Sequence, residues 1–142
     1  MKKQTIEEVR AFNRIYTVFM GILNKSYLKS NFSLVEVRVM HAANNKDGIM
    51  PSEIVALLNI DKSYLSRIVA SLEKRNIIIK TKSPKDGRSV RISITEFGQK
   101  EFEKLNQASN VQIEGLLSTL NERDCEQLIK SMSEIRMILE KK

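Results

Sequence analysis

The sequence predicts a mainly α-helical fold, a winged helix-turn-helix with a small β-hairpin wing, flanked by long helices at both ends. Three patterns predict it: two short amphipathic helices joined by a tight turn between Pro51 and Lys74, β-branched alternation around a Pro-Lys-Asp-Gly turn at residues 84–87, and three-four apolar seams near both termini. Hydrophobic residues make up 42% of the 142 positions, with only two prolines and five glycines, a composition that suits one folded helical domain.

Taken in order, Thr5 and Glu8 have the spacing of a capping box opening the first helix. Val9, Phe12, Tyr16, Phe19 and Leu23 alternate spacings of three and four, and Ile15 and Ile22 widen this apolar surface. The helix is expected to fade near Lys29-Ser30-Asn31. Ser33 and Glu36 form a second capping box, starting a helix through Val37, Val39, Met40 and Ala43. Asn44 to Gly48 reads as a turn. Pro51 suits the first position of the next helix, where its missing N–H has no partner to lose. Ile54, Leu57 and Leu58 give that helix one apolar side, Asn59-Ile60 turn the chain, and Asp61 caps the helix that follows.

After Asn76 the period changes from helix to strand. Ile77-Ile78-Ile79 is β-branched, residues 83–87 are turn formers, and Val90, Ile92 and Ile94 alternate with Arg91 and Ser93. Thr95 caps a long helix carrying Phe97, Phe102, Leu105, Ile113, Leu116, Leu117 and Leu120. Asn121 caps the last helix, with Cys125, Leu128, Met132, Ile135 and Leu139 on its seam. The chain thus reads as one domain, with the winged helix-turn-helix at 33–95 and dimerisation helices at 5–30 and 96–140. The two terminal seams carry more apolar surface than a winged helix of this size covers alone, which predicts a homodimer.

Several classes are excluded. The N-terminus turns acidic where a signal peptide needs an apolar run, and no stretch approaches the roughly 18 apolar residues of a membrane span. The single cysteine forms no intramolecular disulfide, which fits a reducing cytoplasm, the expected location. One histidine and one cysteine argue against a metal centre. There is no phosphate-binding glycine loop, no His-Glu-x-x-His helix and no Ser-His-Asp set, so neither enzyme activity nor a cofactor is expected. Cys125 reads as a buried structural thiol, with Arg123 its only basic neighbour, and His41 as an ordinary packed or surface histidine.

The charge is concentrated. Nine basic residues lie between Lys62 and Arg91 against two acids, Glu73 and Asp86, so this segment carries the whole formal net charge of +7. Such a footprint points to nucleic acid. In the segment 61–74, Leu65, Ile68, Val69 and Leu72 form one stripe at helical spacing. The opposite face carries Ser63, Ser66, Arg67, Ala70 and Lys74, small, hydroxylated or basic and free of acids. That surface suits a major groove, with Arg67 able to grip a guanine edge bidentately. Tyr64 lies between the faces, placed either to reach phosphate or to pack at the rim. An arginine at the end of the narrow basic hairpin suits a minor groove. Asp86 is expected to hold the tip in shape, accepting hydrogen bonds from Arg88 or from turn amides.

The run from Pro51 to Asn76, followed by Ser83-Pro-Lys-Asp-Gly-Arg88 and Ile94-Thr-Glu-Phe-Gly98, closely resembles the MarR (multiple antibiotic resistance regulator) family, and the helix order matches across nearly the whole chain. The resemblance implies a dimeric transcription regulator that binds a pseudo-palindromic operator in double-stranded DNA, usually to repress, and is released by a small-molecule effector. Carried over position by position, Lys62, Ser63, Tyr64, Ser66 and Arg67 form the major-groove set. Arg88, braced by Asp86, is the minor-groove finger, Ser52 a phosphate contact, and Lys82 and Lys85 belong to the basic wing. Asn76 departs from the family's usual glycine, but asparagine tolerates the left-handed conformation. Two other readings stand beside this one: a non-specific architectural nucleic-acid-binding protein and a winged-helix protein-interaction module.

Overall fold

The computed structural model describes residues 1–141 apart from Ile22, Lys25 and Pro84, so the expectations for Ile22 and Pro84 lie outside the described residues. The elements run α1 (Lys3–Met20), a 3-10 turn (Tyr27–Lys29), α2 (Leu34–Ala43), α3 (Pro51–Leu58), α4 (Lys62–Lys74), β1 (Ile78–Lys82), β2 (Val90–Ile94), α5 (Glu96–Leu117) and α6 (Glu122–Leu139). The chain divides into two compact units, Met1–Leu105 and Asn106–Lys142.

In the first unit α2 is the central element. Its capping box is complete: the Glu36 N–H donates to Ser33 Oγ (3.1 Å) and the Ser33 N–H to Glu36 Oε1 (2.7 Å). Val39, Met40 and Ala43 of α2 are fully buried with Ile54, Leu65, Leu72, Ile77 and Ile92, one residue set drawn from α3, α4 and both sides of the hairpin. Arg75, just past α4, locks this core at one edge. Its guanidinium meets Glu36 Oε2 at 3.1 Å and donates to the Asn31 carbonyl at 2.9 Å, lying 4.2 Å from the Phe32 ring centroid.

α1 departs from the sequence expectation at both ends. It begins at Lys3 without a side-chain cap, so Thr5 lies inside the helix and the expected capping box is not formed. It ends at Met20 because Gly21 takes the left-handed conformation (φ 67°) and folds its N–H back to the Thr17 and Val18 carbonyls. Leu23 therefore falls beyond the helix, although Phe12, Tyr16 and Phe19 do stack along it, with successive ring centroids 5.4 and 6.1 Å apart. α1 buries no residue, and Val9, Phe12, Ile15 and Val18 are exposed.

The second unit contains the end of α5 and α6. α5 stops at Leu117, short of Leu120, because Ser118 Oγ and Thr119 Oγ1 donate to the Gly115 and Leu116 carbonyls and compete for the last turn. Asn121 caps α6 as expected, accepting the Asp124 N–H at 2.8 Å. Cys125 is half-buried, not buried as the sequence suggested, since no residue of α6 is fully covered within one chain. His41 is exposed, its ring 5.9 Å from that of Phe102 in the first unit.

Gly98, in the first turn of α5, admits no side chain. A Cβ there would overlap the Ile77 carbonyl oxygen and come within 2.8 Å of Ile94 Cγ1. Gly98→Ala is expected to lower the unfolding free energy by about 1–3 kcal/mol. Gly115→Ala, with nothing within 4 Å of the added carbon, is expected to raise it by up to about 1 kcal/mol through helix propensity. Urea unfolding followed by circular dichroism measures both.

Candidate nucleic-acid interface

α3 and α4 are joined by three residues, Asn59, Ile60 and Asp61. Asn59 supplies the left-handed turn (φ 49°), and Asp61 Oδ2 accepts the N–H groups of Ser63 (3.0 Å) and Tyr64 (3.2 Å) to start α4. Leu65, Val69 and Leu72 are buried, with Ile68 at the margin. This fixes the rotation of α4 and leaves Lys62, Ser63, Tyr64, Ser66, Arg67 and Ala70 exposed. Arg67 lies 5.9 Å from the Tyr64 ring centroid, so Tyr64 packs beside the arginine. Arg67 makes no ion pair among the described residues.

The wing is an antiparallel hairpin in the register Ile78↔Ile94 to Lys82↔Val90. A contact that sequence periodicity does not reveal braces its middle: Ile49 and Ile92 exchange both backbone hydrogen bonds (2.9 and 2.8 Å), adding a one-residue third strand from the α2–α3 connection. At the base of the hairpin the Thr95 hydroxyl donates to the Asn76 carbonyl (2.6 Å) and accepts the Gly98 N–H (2.9 Å). Asn76 has the left-handed backbone expected of it (φ 60°).

Asp86 organises the tip. Its Oδ1 accepts the Arg88 N–H (3.0 Å), its Oδ2 the Ser89 hydroxyl (3.2 Å), and its carbonyl the Ser89 N–H (3.1 Å). Of the two donors the sequence allowed, the turn amide and not the guanidinium is the partner. Lys82, Lys85 and Arg88 are exposed.

The fold brings helix and wing together around a groove of about 470 Å³. Ser52 of α3 and Lys62 and Ser66 of α4 face Lys80 and Val90 of the wing across an apolar floor that includes Leu65 and Val69. Ser63, Arg67 and Arg88 stand outside this groove on exposed surface. Two basic residues of the segment form ion pairs within the chain instead: Arg75 at the core edge, and Lys80, whose Nζ is 3.8 Å from Glu73 Oε1. No cluster of three or more potential metal ligands occurs among the described residues, and none of their helices is long and apolar enough to cross a membrane.

Two short helices at a tight turn, an exposed face of small, hydroxyl-bearing and basic residues on the second, and a buttressed hairpin beside it define a winged helix-turn-helix protein. A sequence model of the MarR family matches residues 32–90, covering this unit from the start of α2 into β2. Over that segment, which holds the whole helix-turn-helix, the chain is MarR-like. It is similar to the HTH-type transcriptional regulator PapX of Escherichia coli, at 31% identity over 96 residues, 68% of this chain and 58% of that relative's length. Its fold matches wild-type apo MarR of E. coli with a TM-score of 0.76 at 19% identity, covering 89% of this chain and 94% of that one. It also matches CouR of Rhodococcus jostii RHA1, solved with p-coumaroyl-CoA bound, with a TM-score of 0.70 at 19% identity and 88% coverage of both chains.

If Asp86 holds the wing tip, Asp86→Ala is expected to speed amide hydrogen exchange at Arg88 about five- to tenfold, matching a net hydrogen bond of about 1 kcal/mol. Asp86→Asn, which keeps an acceptor oxygen, is expected to stay near the wild-type rate; exchange measured by NMR separates the two.

Proposed function

We propose that the protein is a sequence-specific transcription regulator that binds a pseudo-palindromic operator as a homodimer, represses from it, and is released by a small-molecule effector. The observation that carries this reading is the shared groove: it sets Ser52, Lys62 and Ser66 across from the basic wing, so one surface offers both a helix face and a hairpin to DNA. In this reading α4 lies in the major groove with Lys62, Ser63, Tyr64, Ser66 and Arg67 toward the bases and their backbone. Ser52 meets phosphate, Lys82 and Lys85 track the backbone, and Arg88, on the tip held by Asp86, reaches the minor groove.

The homodimer is supported by apolar surface that one chain leaves uncovered: Val9, Phe12, Ile15 and Val18 on α1, and Ile129, Met137, Ile138 and Leu139 on α6. A two-fold dimer presents two copies of α4 to half-sites about 34 Å apart, one turn of B-DNA. A small-molecule effector is supported by CouR, a structural relative solved with p-coumaroyl-CoA.

Selection of bound duplexes from a random pool is expected to return a palindrome. On the selected site Arg67→Ala should lose about 1–3 kcal/mol and relax base preference at one position per half-site. Lys82→Ala should instead lower the salt dependence of binding by about one counterion without altering base preference. Uniform weakening by Arg67→Ala on every sequence points to an architectural binder. Binding no tighter than about 10⁻⁴–10⁻⁶ M on all duplexes points to a protein-interaction module.

A further inference from the structure

We propose that the outer face of the wing is a second backbone-binding surface, on which Lys46 of the α2–α3 turn and Arg91 of β2 hold DNA phosphates flanking those met by Lys82 and Lys85. The proposal rests on the DNA-binding reading above and extends it to residues with no role there.

Side chains alternate between the two faces of the hairpin. Lys80, Val90 and Ile92 turn toward α3 and α4 and line the groove, so Thr81, Arg91 and Ser93 turn the other way. On that outer side the Ile49–Ile92 pairing draws the α2–α3 turn alongside the hairpin. The approach is close: Gly48 has φ 70°, and a Cβ on it would lie 2.6 Å from Ser93 Oγ and 3.0 Å from the Ile92 carbonyl. Turn and hairpin together enclose a polar recess of about 600 Å³.

Four cations line that recess, Lys46, Lys82, Lys85 and Arg91, and none of them makes an ion pair among the described residues. Arg91 is pre-positioned, since its Nη1 donates to the Gly48 carbonyl at 3.3 Å while its remaining N–H groups stay free to donate elsewhere. Two acids also line the recess. Glu53 is engaged, accepting the Met50 N–H at 3.3 Å at the start of α3. Asp47 is exposed and makes no side-chain hydrogen bond or ion pair among the described residues, so its charge opposes an incoming phosphate. Lys82 and Lys85 belong to both the wing and the recess, so a backbone that reaches them comes within range of Lys46. Four cations spread along the α2–α3 turn and the hairpin suit an extended phosphodiester chain better than a single compact anion.

The test uses the full chain and the selected duplex, once with long flanks and once trimmed to the half-sites, with binding read by fluorescence anisotropy across a salt series. On the long duplex, Lys46→Ala is expected to weaken binding roughly three- to tenfold at low salt and to lower the salt slope by about 0.9, one phosphate contact. Arg91→Gln is expected to act in the same direction, and Asp47→Asn to tighten binding. All three effects should shrink on the trimmed duplex, and base preference should not move. Wild-type affinity and salt slope for Lys46→Ala and Asp47→Asn on the long duplex would overturn the proposal while leaving the DNA-binding reading intact, as would equal losses on both duplexes. NMR shifts at Lys46 and Arg91 produced by inorganic phosphate but not by flanking DNA would assign the recess to a free anion and overturn it too. A wild type without specific duplex binding overturns the regulator reading itself, and this proposal with it.

Discussion

The site depends on the junction where the chain leaves α4 and becomes the wing. Asn76 reverses the backbone in a left-handed conformation, and the Ile77 N–H returns to the Leu72 carbonyl at 2.9 Å. The Ile77 carbonyl in turn accepts the Thr95 N–H at 3.0 Å and lies against Gly98. The last turn of α4, the first residue before β1 and the first turn of α5 are thereby fastened at one point. Because Ile77, Ile78 and Leu72 are also buried, the angle between α4 and the hairpin is set by close packing, which resists continuous deformation.

Charge follows from this arrangement. The excess positive charge of the segment from Lys62 to Arg91 divides into two groups once the chain folds. Arg75 and, more loosely, Lys80 turn to carboxylates on α2 and α4, where they hold structure. Lys62, Arg67, Lys74, Lys82, Lys85 and Arg88 remain exposed on α4 and the hairpin, with Arg91 half-buried beside them. Formal charge in a sequence window therefore overstates the charge available to a partner. The Arg75–Glu36 pair spans 39 positions and has no signature in local pattern.

Most of the fold was legible because its signals are local. The Ser33–Glu36 box, Pro51, Asp61, Thr95 and Asn121 each mark a helix start through a hydrogen bond, or a missing donor, within three residues of the boundary. The rotation of α4 followed from its apolar stripe, and with it the exposure of Ser63, Ser66 and Arg67. What was not legible is non-local or a contest between signals. The seam of α1 runs on to Leu23, yet Gly21 ends the helix first. Ile49 pairs as a single residue, too short to show a strand period, and its pairing is what carries Lys46 from an ordinary turn to the side of the wing. The side chains lining the groove were readable one by one, but their meeting depended on that sheet.

The hydrogen bonds of Asp86 have a thermodynamic meaning for the hairpin loop. A loop already tied to its own carboxylate has few conformations left to give up, so the attraction gained by its cations is not offset by a large ordering entropy. That restraint, about 1 kcal/mol per hydrogen bond, biases residues 86–89 toward one shape, so a surface of matching width and curvature is met with less to rearrange.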